Sequence, residues 1–206
     1  MSWYAERLLP RVVNLVCSTP GVARWRRRAV EGLQGCVVEI GFGSGLNVPF
    51  YPASVERVEA VEPSDTAWRL ARRAVAASPV VIERVGLDGQ RLPLADESCD
   101  GALSTFTLCT VEDDALALRE LYRVLRPGGA LHFLEHGLAP DARVARWQWR
   151  LDPLERRLAG GCHLTRDVRQ LVERSGFVVS WCEQRYETGP RPWSYFSVGV
   201  ATKPAA

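Results

Sequence analysis

The sequence predicts an α/β fold with a doubly wound, mostly parallel sheet of seven strands, and three observations favour it. Short apolar runs alternate with longer segments of helical spacing, which is typical of a parallel sheet covered by helices on both faces. The first apolar run ends in a glycine-rich stretch that contains Gly41, Gly43 and Gly45. The last two runs are joined by "QRYETGPRPWS", which is too short for a helical crossover and predicts an antiparallel last strand.

Seven segments are predicted as strands because they are short, apolar and bounded by turn-forming residues. They cover residues 36–40, 55–62, 80–85, 101–106, 130–136, 178–183 and 195–201.

Three helices are expected between these strands. The first is "DTAWRLARRAVAAS", and the second is "DDALALRELYRVLRPGG", which the Pro127-Gly128-Gly129 turn is expected to stop. The apolar face of the second helix is expected to contain Leu118, Leu121 and Leu125. The third helix, "TRDVRQLVERSG", is expected to begin at a Thr165 cap and to end at Gly176.

Residues 1–34 are predicted to form a helical cap on a domain of residues 35–206. Thr19 followed by Pro20 is a helix start, and this helix is expected to end near Gly32. The preceding stretch, "WYAERLLPRVVNLV", is apolar and aromatic and is interrupted by Pro10. It is expected either to pack on the domain or to touch a membrane surface.

Composition excludes several classes of protein. The net charge of +2 does not indicate nucleic-acid binding, and no segment is apolar and long enough to cross a bilayer. Six cysteines without a C-x-x-C pair indicate neither a disulfide framework nor a metal site. We therefore expect a cytoplasmic protein, with peripheral membrane contact through the N-terminal segment as an open alternative. The sequence leaves its oligomeric state undetermined.

The glycine loop predicts a ligand site, because ligands of doubly wound sheets bind beyond the carboxyl ends of the strands. A dinucleotide site requires G-x-G-x-x-G, and Leu46 stands where its third glycine would be. The observed pattern is E-x-G-x-G-x-G, with Glu39 inside the strand. A carboxylate there favours a ligand with a cationic amine over a pyrophosphate. Glu62 ends the second strand, where it can accept hydrogen bonds from ribose hydroxyls.

These motifs resemble those of class I S-adenosylmethionine-dependent methyltransferases. "VGLDGQRLPLADESCD" and "LRELYRVLRPGGALHFLEH" are similar to segments of the subfamily that includes the quinone-pathway enzymes. The resemblance implies a Rossmann-like fold, S-adenosyl-L-methionine as cofactor and S-adenosyl-L-homocysteine as product. It also implies that Asp88 and Gly89 lie beside the adenine, with Asp88 accepting a hydrogen bond from its exocyclic amine.

Further segments, among them "LDPLERRLAGGCHLTRD" and "RPWSYFSVGVATK", look like the small thiol S-methyltransferases. This implies a small, apolar acceptor, with a thiol favoured, that is methylated by direct displacement. A phospholipid amine or a quinone-type ring at a membrane surface is the alternative acceptor. A module that binds the cofactor without catalysis is the non-enzymatic alternative.

Other candidate residues lie at the ends of later strands. Thr105 and Phe106 end the fourth strand and are candidates for cofactor contact or for ordinary packing. His136 ends the fifth strand, where it either takes a proton from the acceptor or orients the loop. His132 shares its strand face, but no third ligand is evident, so no metal is expected.

The loop that contains Cys162-His163 is expected to line the acceptor cleft. A group of tryptophans flanks the same loops and suits an apolar acceptor, although tryptophan also suits the core. They are Trp147, Trp149 and Trp193.

Overall fold

A computed structural model describes residues 4–205 of the chain, so the first three residues of the expected helical cap and residue 206 lie outside the described part. The helices are α1 (Leu9–Cys17), α2 (Pro20–Val30), α3 (Asp65–Ala77), α4 (Asp114–Val124), α5 (Ala142–Leu158) and α6 (Val168–Arg174). The strands are β1 (Gly35–Ile40), β2 (Val55–Val61), β3 (Val81–Gly86), β4 (Cys99–Thr105), β5 (Leu125–His136), β6 (Val178–Tyr186) and β7 (Tyr195–Thr202).

The strands form one seven-stranded sheet in the order β3-β2-β1-β4-β5-β7-β6. The pairs from β3 to β5 are parallel, whereas β7 is antiparallel to both β5 and β6. The predicted seven-stranded sheet with an antiparallel last strand is confirmed. The strand order reverses between β1 and β4, which places a ligand crevice at the carboxyl ends of these two strands.

The core lies on both faces of the sheet. On one face, α4 and α6 pack their buried side chains against β4 and β5, and on the other face α3 packs beside the glycine loop. The N-terminal helix α2 covers the β5–β7 region, where Trp25 packs edge-on against Phe196 with 5.9 Å between ring centroids. The central strand residues Val37, Val38 and Ile40 have no exposed surface, which fixes the base of the crevice.

The boundary between α4 and β5 differs from the sequence prediction. The helix ends at Val124, and β5 begins at Leu125 and includes Pro127-Gly128-Gly129. Leu125 therefore belongs to the strand, where it pairs with Cys99 and is fully buried, rather than to the apolar face of α4. Gly128 has a φ of +80° and donates its N–H to the carbonyl of Lys203, so the glycine turn joins the sheet.

Two helices near the acceptor loops also differ from expectation. The N-cap of α6 is Asp167, whose side chain accepts from the N–H of Gln170, and Thr165 instead donates to Asp152. Helix α5 was not predicted, because Pro153 interrupts its 17-residue pattern. Gln148 anchors this helix by donating to the carbonyl of Gly137, with 3.0 Å between N and O.

The N-terminal segment is helical. A π-helical turn at Tyr4–Leu8 leads into α1, and Thr19 caps α2 by accepting from the N–H of Val22. Pro10 lies in the first turn of α1, where a missing N–H is tolerated. Within residues 4–205, no helix combines the length and the apolar character that crossing a membrane requires. The division into a cap and a domain stays a prediction.

Candidate functional site

The glycine loop after β1 bends tightly through left-handed backbone. Gly41, Gly43 and Gly45 have φ values of +64°, +61° and +74°. A Cβ at Gly41 would overlap the Thr107 side chain, so only glycine fits there. Gly41 and Gly43 line a cavity of about 450 Å³. Gly45 does not line it, and packs against α3, where a Cβ would lie 3.2 Å from that of Ala71.

Glu62 ties the end of β2 to the glycine loop. One carboxylate oxygen accepts from the N–H of Gly43 and the other from the N–H of Ser64, each with 2.7 Å between N and O. The carboxylate also lines the cavity. Burial raises the pKa of Glu62, and the two N–H groups partly offset this effect.

Asp88 and Gly89 lie on the opposite wall of the same cavity, in the loop after β3. The Asp88 carboxylate accepts from the N–H of Gln90 at 2.8 Å, which holds the turn. A Cβ at Gly89 would lie 3.4 Å from Ile40, so this backbone passes close to the end of β1.

Glu39 lies behind the cavity wall rather than in it. Its side chain is fully buried, and its two oxygens accept hydrogen bonds from Asn47 and from the hydroxyl of Tyr51. Burial raises the pKa of Glu39 to about 7, although both hydrogen bonds act in the opposite direction. The structure therefore does not bring Glu39 to the cavity surface, and Asn47 stands between its carboxylate and Arg26.

Arg26 of α2 is a residue that the sequence analysis missed. Its guanidinium is buried at the cavity and donates to Asn47 at 2.9 Å and to Thr105 at 3.0 Å. Its Nε has no hydrogen-bond partner within the described residues. Burial lowers the pKa of Arg26, and the nearby Cys17 and Glu39 partly offset this effect. A guanidinium in the wall of a cavity suits a ligand that carries an anionic group.

Thr105 and Phe106 bring the end of β4 to the site. Both line the cavity beside the glycine loop, and Thr105 also accepts from Asn47 at 3.0 Å. Phe106 has a φ of +54°, which is uncommon for a residue with a side chain. Such strain persists where the surrounding structure imposes it, and here the N–H of Phe106 donates to Leu134 at 2.7 Å.

A second, larger cavity of about 800 Å³ adjoins the first. The two share the wall formed by Phe106, Thr110, Ala159 and side chains of α1. The rest of the larger cavity combines apolar and aromatic side chains with polar ones, of which Arg24, Glu155 and Glu187 are charged. An acceptor cleft is expected from the sequence beside Cys162, and this residue lines the larger cavity.

His136 lies in the wall of the larger cavity at the end of β5. The centroid of its ring lies 5.0 Å from the ring centroid of Phe106 and 5.1 Å from that of Phe196. Its Nδ1 is 3.8 Å from the sulfur of Cys162, and this sulfur is 3.7 Å from that of Cys109. The contacts of the Cys162 sulfur with Cys109 and with His136 together lower the pKa of this thiol to about 6, although burial acts in the opposite direction.

The other histidines and tryptophans lie elsewhere. His132 is buried against the carbonyl of Ala29 at 2.7 Å, and His163 is near Asp152, so neither lines the larger cavity. Trp193 does line it. The indoles of Trp147 and Trp149 are exposed on α5, by 55% and 62%, so these two are not walls of the cavity.

Glu135 is a second residue that the sequence analysis missed. Its buried carboxylate accepts from the N–H groups of Thr107, Leu108 and Cys109 at 3.0–3.2 Å. It also accepts from the hydroxyl of Ser104 at 2.7 Å. This single side chain therefore fixes the loop after β4, which carries the wall between the two cavities. The available signal was an acidic residue within an apolar strand run, directly before His136.

Comparison with known proteins shows which proteins the chain is similar to. Residues 38–133 match the model of a methyltransferase domain family. Thiol S-methyltransferase TMT1B of Rattus norvegicus is 34% identical over 79% of this chain and 66% of its own length. TMT1B of Mus musculus is 35% identical over 82% of this chain and 70% of its own length.

A ubiquinone/menaquinone biosynthesis C-methyltransferase, UbiE of Syntrophotalea carbinolica, is 33% identical over 63% of this chain and 58% of its own length. The chain thus spans just under two thirds of the rat protein and less of the bacterial one. A crystal structure from Thermotoga maritima, described as an S-adenosylmethionine-dependent methyltransferase and possible histamine N-methyltransferase, superposes with a TM-score of 0.68. It covers 98% of this chain and 99% of its own at 24% identity, and so supports the fold.

Proposed function

Because the chain belongs to the family of class I S-adenosylmethionine-dependent methyltransferases, we propose that it methylates a small, apolar acceptor, with a thiol favoured. One observation carries this proposal: a cavity beside the glycine loop adjoins a larger apolar cavity at Phe106. Direct displacement requires that donor and acceptor meet in line with water excluded, and adjoining cavities can hold the two molecules side by side.

The smaller cavity fits the cofactor of this family, S-adenosyl-L-methionine. The bare backbone of Gly41 and Gly43 allows a ligand to approach closely, and the Glu62 carboxylate is oriented to accept from ribose hydroxyls. Asp88 and Gly89 stand where the adenine would bind. The guanidinium of Arg26, which Asn47 and Thr105 hold in the cavity wall, suits the carboxylate at the amino-acid end. When bound, the cofactor supplies an electrophilic methyl group on a sulfonium sulfur.

Glu39 acts through its neighbours in this proposal. It fixes Asn47, and Asn47 in turn holds Arg26 and Thr105 at the amino-acid end of the cavity. Gly45 has a packing role, because it lets α3 approach the loop. Both residues support the cofactor site without lining it.

The larger cavity suits an apolar acceptor with one polar end. Polar residues of its wall, among them Thr188, can meet that polar end. His136 lines the same cavity, and we propose that its imidazole contacts the group of the substrate that accepts the methyl. A thiol suits this site because, with a reference pKa of about 8.5, it is already partly ionised near neutral pH. The relatives named as thiol S-methyltransferases support the same choice.

The test is a screen for methyl transfer from methyl-labelled S-adenosylmethionine to thiols, amines, phenols and phospholipids. We expect label in the thioether product of an apolar thiol, with S-adenosylhomocysteine formed in equal amount. Tight S-adenosylhomocysteine binding without transfer to any acceptor would indicate a module that binds the cofactor without catalysis. Label in amines or quinone-type rings alone would replace the thiol.

A second candidate is methylation of a lipid amine or quinone-type ring at a membrane surface. One observation favours it: α1 carries exposed apolar side chains at the rim of the larger cavity, among them Val16, which is 61% exposed. Leu15 beside it is 72% exposed. Such a rim would let an apolar acceptor enter from a bilayer.

Liposome flotation separates the two candidates. Membrane contact predicts that the intact chain floats and that the double variant Leu15→Asp/Val16→Asp does not. Leu70→Asp is the matched control, because Leu70 is 41% exposed on a different helix, α3. An intact chain that stays at the bottom of the gradient removes the membrane candidate, and a cytoplasmic location then stays the prediction.

A further inference from the structure

The geometry points to a metal centre in the wall of the larger cavity: Cys109, His136 and Cys162 bind one Zn²⁺ ion whose open fourth position takes the thiolate of the acceptor. The binding of the acceptor thiolate to the ion rests on the proposed function, whereas the binding of the ion by the three side chains does not. Neither the sequence motifs nor the matched relatives indicate this site.

Two of the three ligand-to-ligand distances are close to those around a tetrahedral zinc ion. The sulfurs of Cys109 and Cys162 are 3.7 Å apart, and the Cys162 sulfur is 3.8 Å from Nδ1 of His136. All three ligand atoms lie within 4.8 Å of one another. With Zn–S bonds of about 2.3 Å and tetrahedral angles, two sulfurs lie about 3.8 Å apart. An ion can therefore enter without a large movement of either thiol.

The three ligands are positioned by separate elements that the fold joins firmly. Cys109 lies in the loop after β4, where its N–H donates to Glu135 at 3.2 Å. Cys162 lies in the loop after α5, and the next N–H, that of His163, donates to the carbonyl of Cys109 at 2.7 Å. His136 ends β5. The site is thus largely formed before an ion arrives.

The number of ligands and their place in the cavity wall indicate an open site rather than a closed structural one. Structural zinc has four protein ligands, whereas catalytic zinc has three protein ligands and one exchangeable position. Two cysteines and one histidine are the three ligands here, and each of them lines the larger cavity. The free position therefore faces the space assigned to the acceptor, beside Phe106 and the cofactor cavity.

A thiol that binds at this position loses its proton to solvent and becomes a thiolate. Its sulfur lone pair then forms the new S–C bond to the methyl group as the C–S bond of the sulfonium breaks. The bonding pair of that bond returns to the departing sulfur, so the products are a methyl thioether, S-adenosylhomocysteine and one proton. No oxidant or reductant is needed.

The test uses the full chain, reduced and stripped of metal with a chelator, and Co²⁺ as a probe for Zn²⁺. We expect one equivalent of Co²⁺ to bind and to give the visible absorption of a tetrahedral cobalt–thiolate centre, and Zn²⁺ to displace it. Cys109→Ser, Cys162→Ser and His136→Ala each remove a direct ligand and are expected to weaken binding by more than the roughly 10–100-fold that loss of an outer-shell partner costs. Cys182→Ser is the matched control, because Cys182 is a half-buried cysteine of β6 outside the cluster.

Thermal melting and S-adenosylhomocysteine binding, measured on every variant, distinguish lost folding or a lost cofactor site from a lost metal site. A reduced, folded wild type that binds no equivalent of Co²⁺ overturns the inference. The same holds if Cys182→Ser loses as much affinity as the cluster variants, or if thiol counting shows a Cys109–Cys162 disulfide in the isolated protein.

The fourth position is tested with thiophenol as an apolar thiol probe. Addition of thiophenol to the cobalt-loaded protein is expected to change the cobalt spectrum, and phenol at the same concentration is not. An unchanged spectrum contradicts thiolate binding at the ion while leaving the metal site itself in place.

Discussion

The carboxylate of Glu62 accepts a hydrogen bond from the backbone N–H of Gly43, with 2.7 Å between the two atoms. This contact joins the end of β2 to the tightest part of the glycine loop. It therefore fixes the distance between the residue assigned to the ribose and the bare backbone that the cofactor approaches.

Glu62→Gln tests the ribose assignment. The variant keeps the size of the side chain but loses the charge, so we expect S-adenosylhomocysteine binding to weaken by roughly 1.5–3 kcal/mol. Titration calorimetry measures the change, with Glu56→Gln, an exposed residue of the same strand, as control. Equal affinity of wild type and Glu62→Gln would remove Glu62 from the site.

Gly41→Ala tests the close approach of the glycine loop to Thr107. Alanine at Gly41 must adopt a φ of +64° and also displace the Thr107 side chain. Gly128→Ala has the same left-handed strain, at a φ of +80°, but no atom lies within 4 Å of its Cβ. We expect Gly128→Ala to lose about 1–2 kcal/mol of unfolding free energy and Gly41→Ala to lose clearly more, with its cofactor binding also lost. Equal losses in urea unfolding would contradict the overlap.

Glu39 predicts an unusual pH dependence of stability. Because burial raises its pKa from 4.5 to about 7, the folded chain holds a proton that the unfolded chain has released. Wild-type stability therefore falls as pH rises through this range, whereas Glu39→Gln lacks the effect. Between about pH 5 and about pH 8, we expect the unfolding free energy of Glu39→Gln to rise by on the order of 3 kcal/mol relative to that of wild type. Urea unfolding measures both free energies, and a difference between wild type and Glu39→Gln that does not change with pH would contradict the raised pKa of a buried Glu39.

Glu187 predicts the opposite behaviour in acid. Hydrogen bonds from the N–H of Thr188 and from Trp25 lower the pKa of Glu187 from 4.5 to about 2. Its ionised form stabilises the fold at pH values above about 4.5, and this contribution is lost as pH falls toward about 2. The stability difference between wild type and Glu187→Gln should therefore shrink through this range in acid unfolding. A difference that grows in acid would contradict the assignment.

The sequence predicted what depends on local pattern. The strand runs, the glycine loop and the acidic residue at the end of β2 follow from apolar spacing and turn chemistry within a few residues. The resemblance to class I methyltransferases, drawn from the same motifs, is confirmed by the matched family and relatives. Helix α5 was missed because Pro153 interrupts its local helical pattern. Contacts with distant residues stabilise this helix, among them the hydrogen bond from Gln148 to the carbonyl of Gly137.

The rest depends on contacts between distant residues, which no local pattern encodes. Arg26 reaches the site from α2, and its role follows only from its hydrogen bonds to Asn47 and Thr105. Cys109 and Cys162 are far apart in the chain and meet only because their loops pack together at the end of β5. The depth of Glu39 likewise follows from how the loop after β1 folds over it.

The most direct test of the central claim is a crystal structure of the chain with S-adenosylhomocysteine. We predict that the ribose hydroxyls lie on Glu62, the adenine lies beside Asp88 and Gly89, and the sulfur faces the larger cavity at Phe106. Binding outside the glycine loop, or a sulfur directed away from Phe106, would contradict the account.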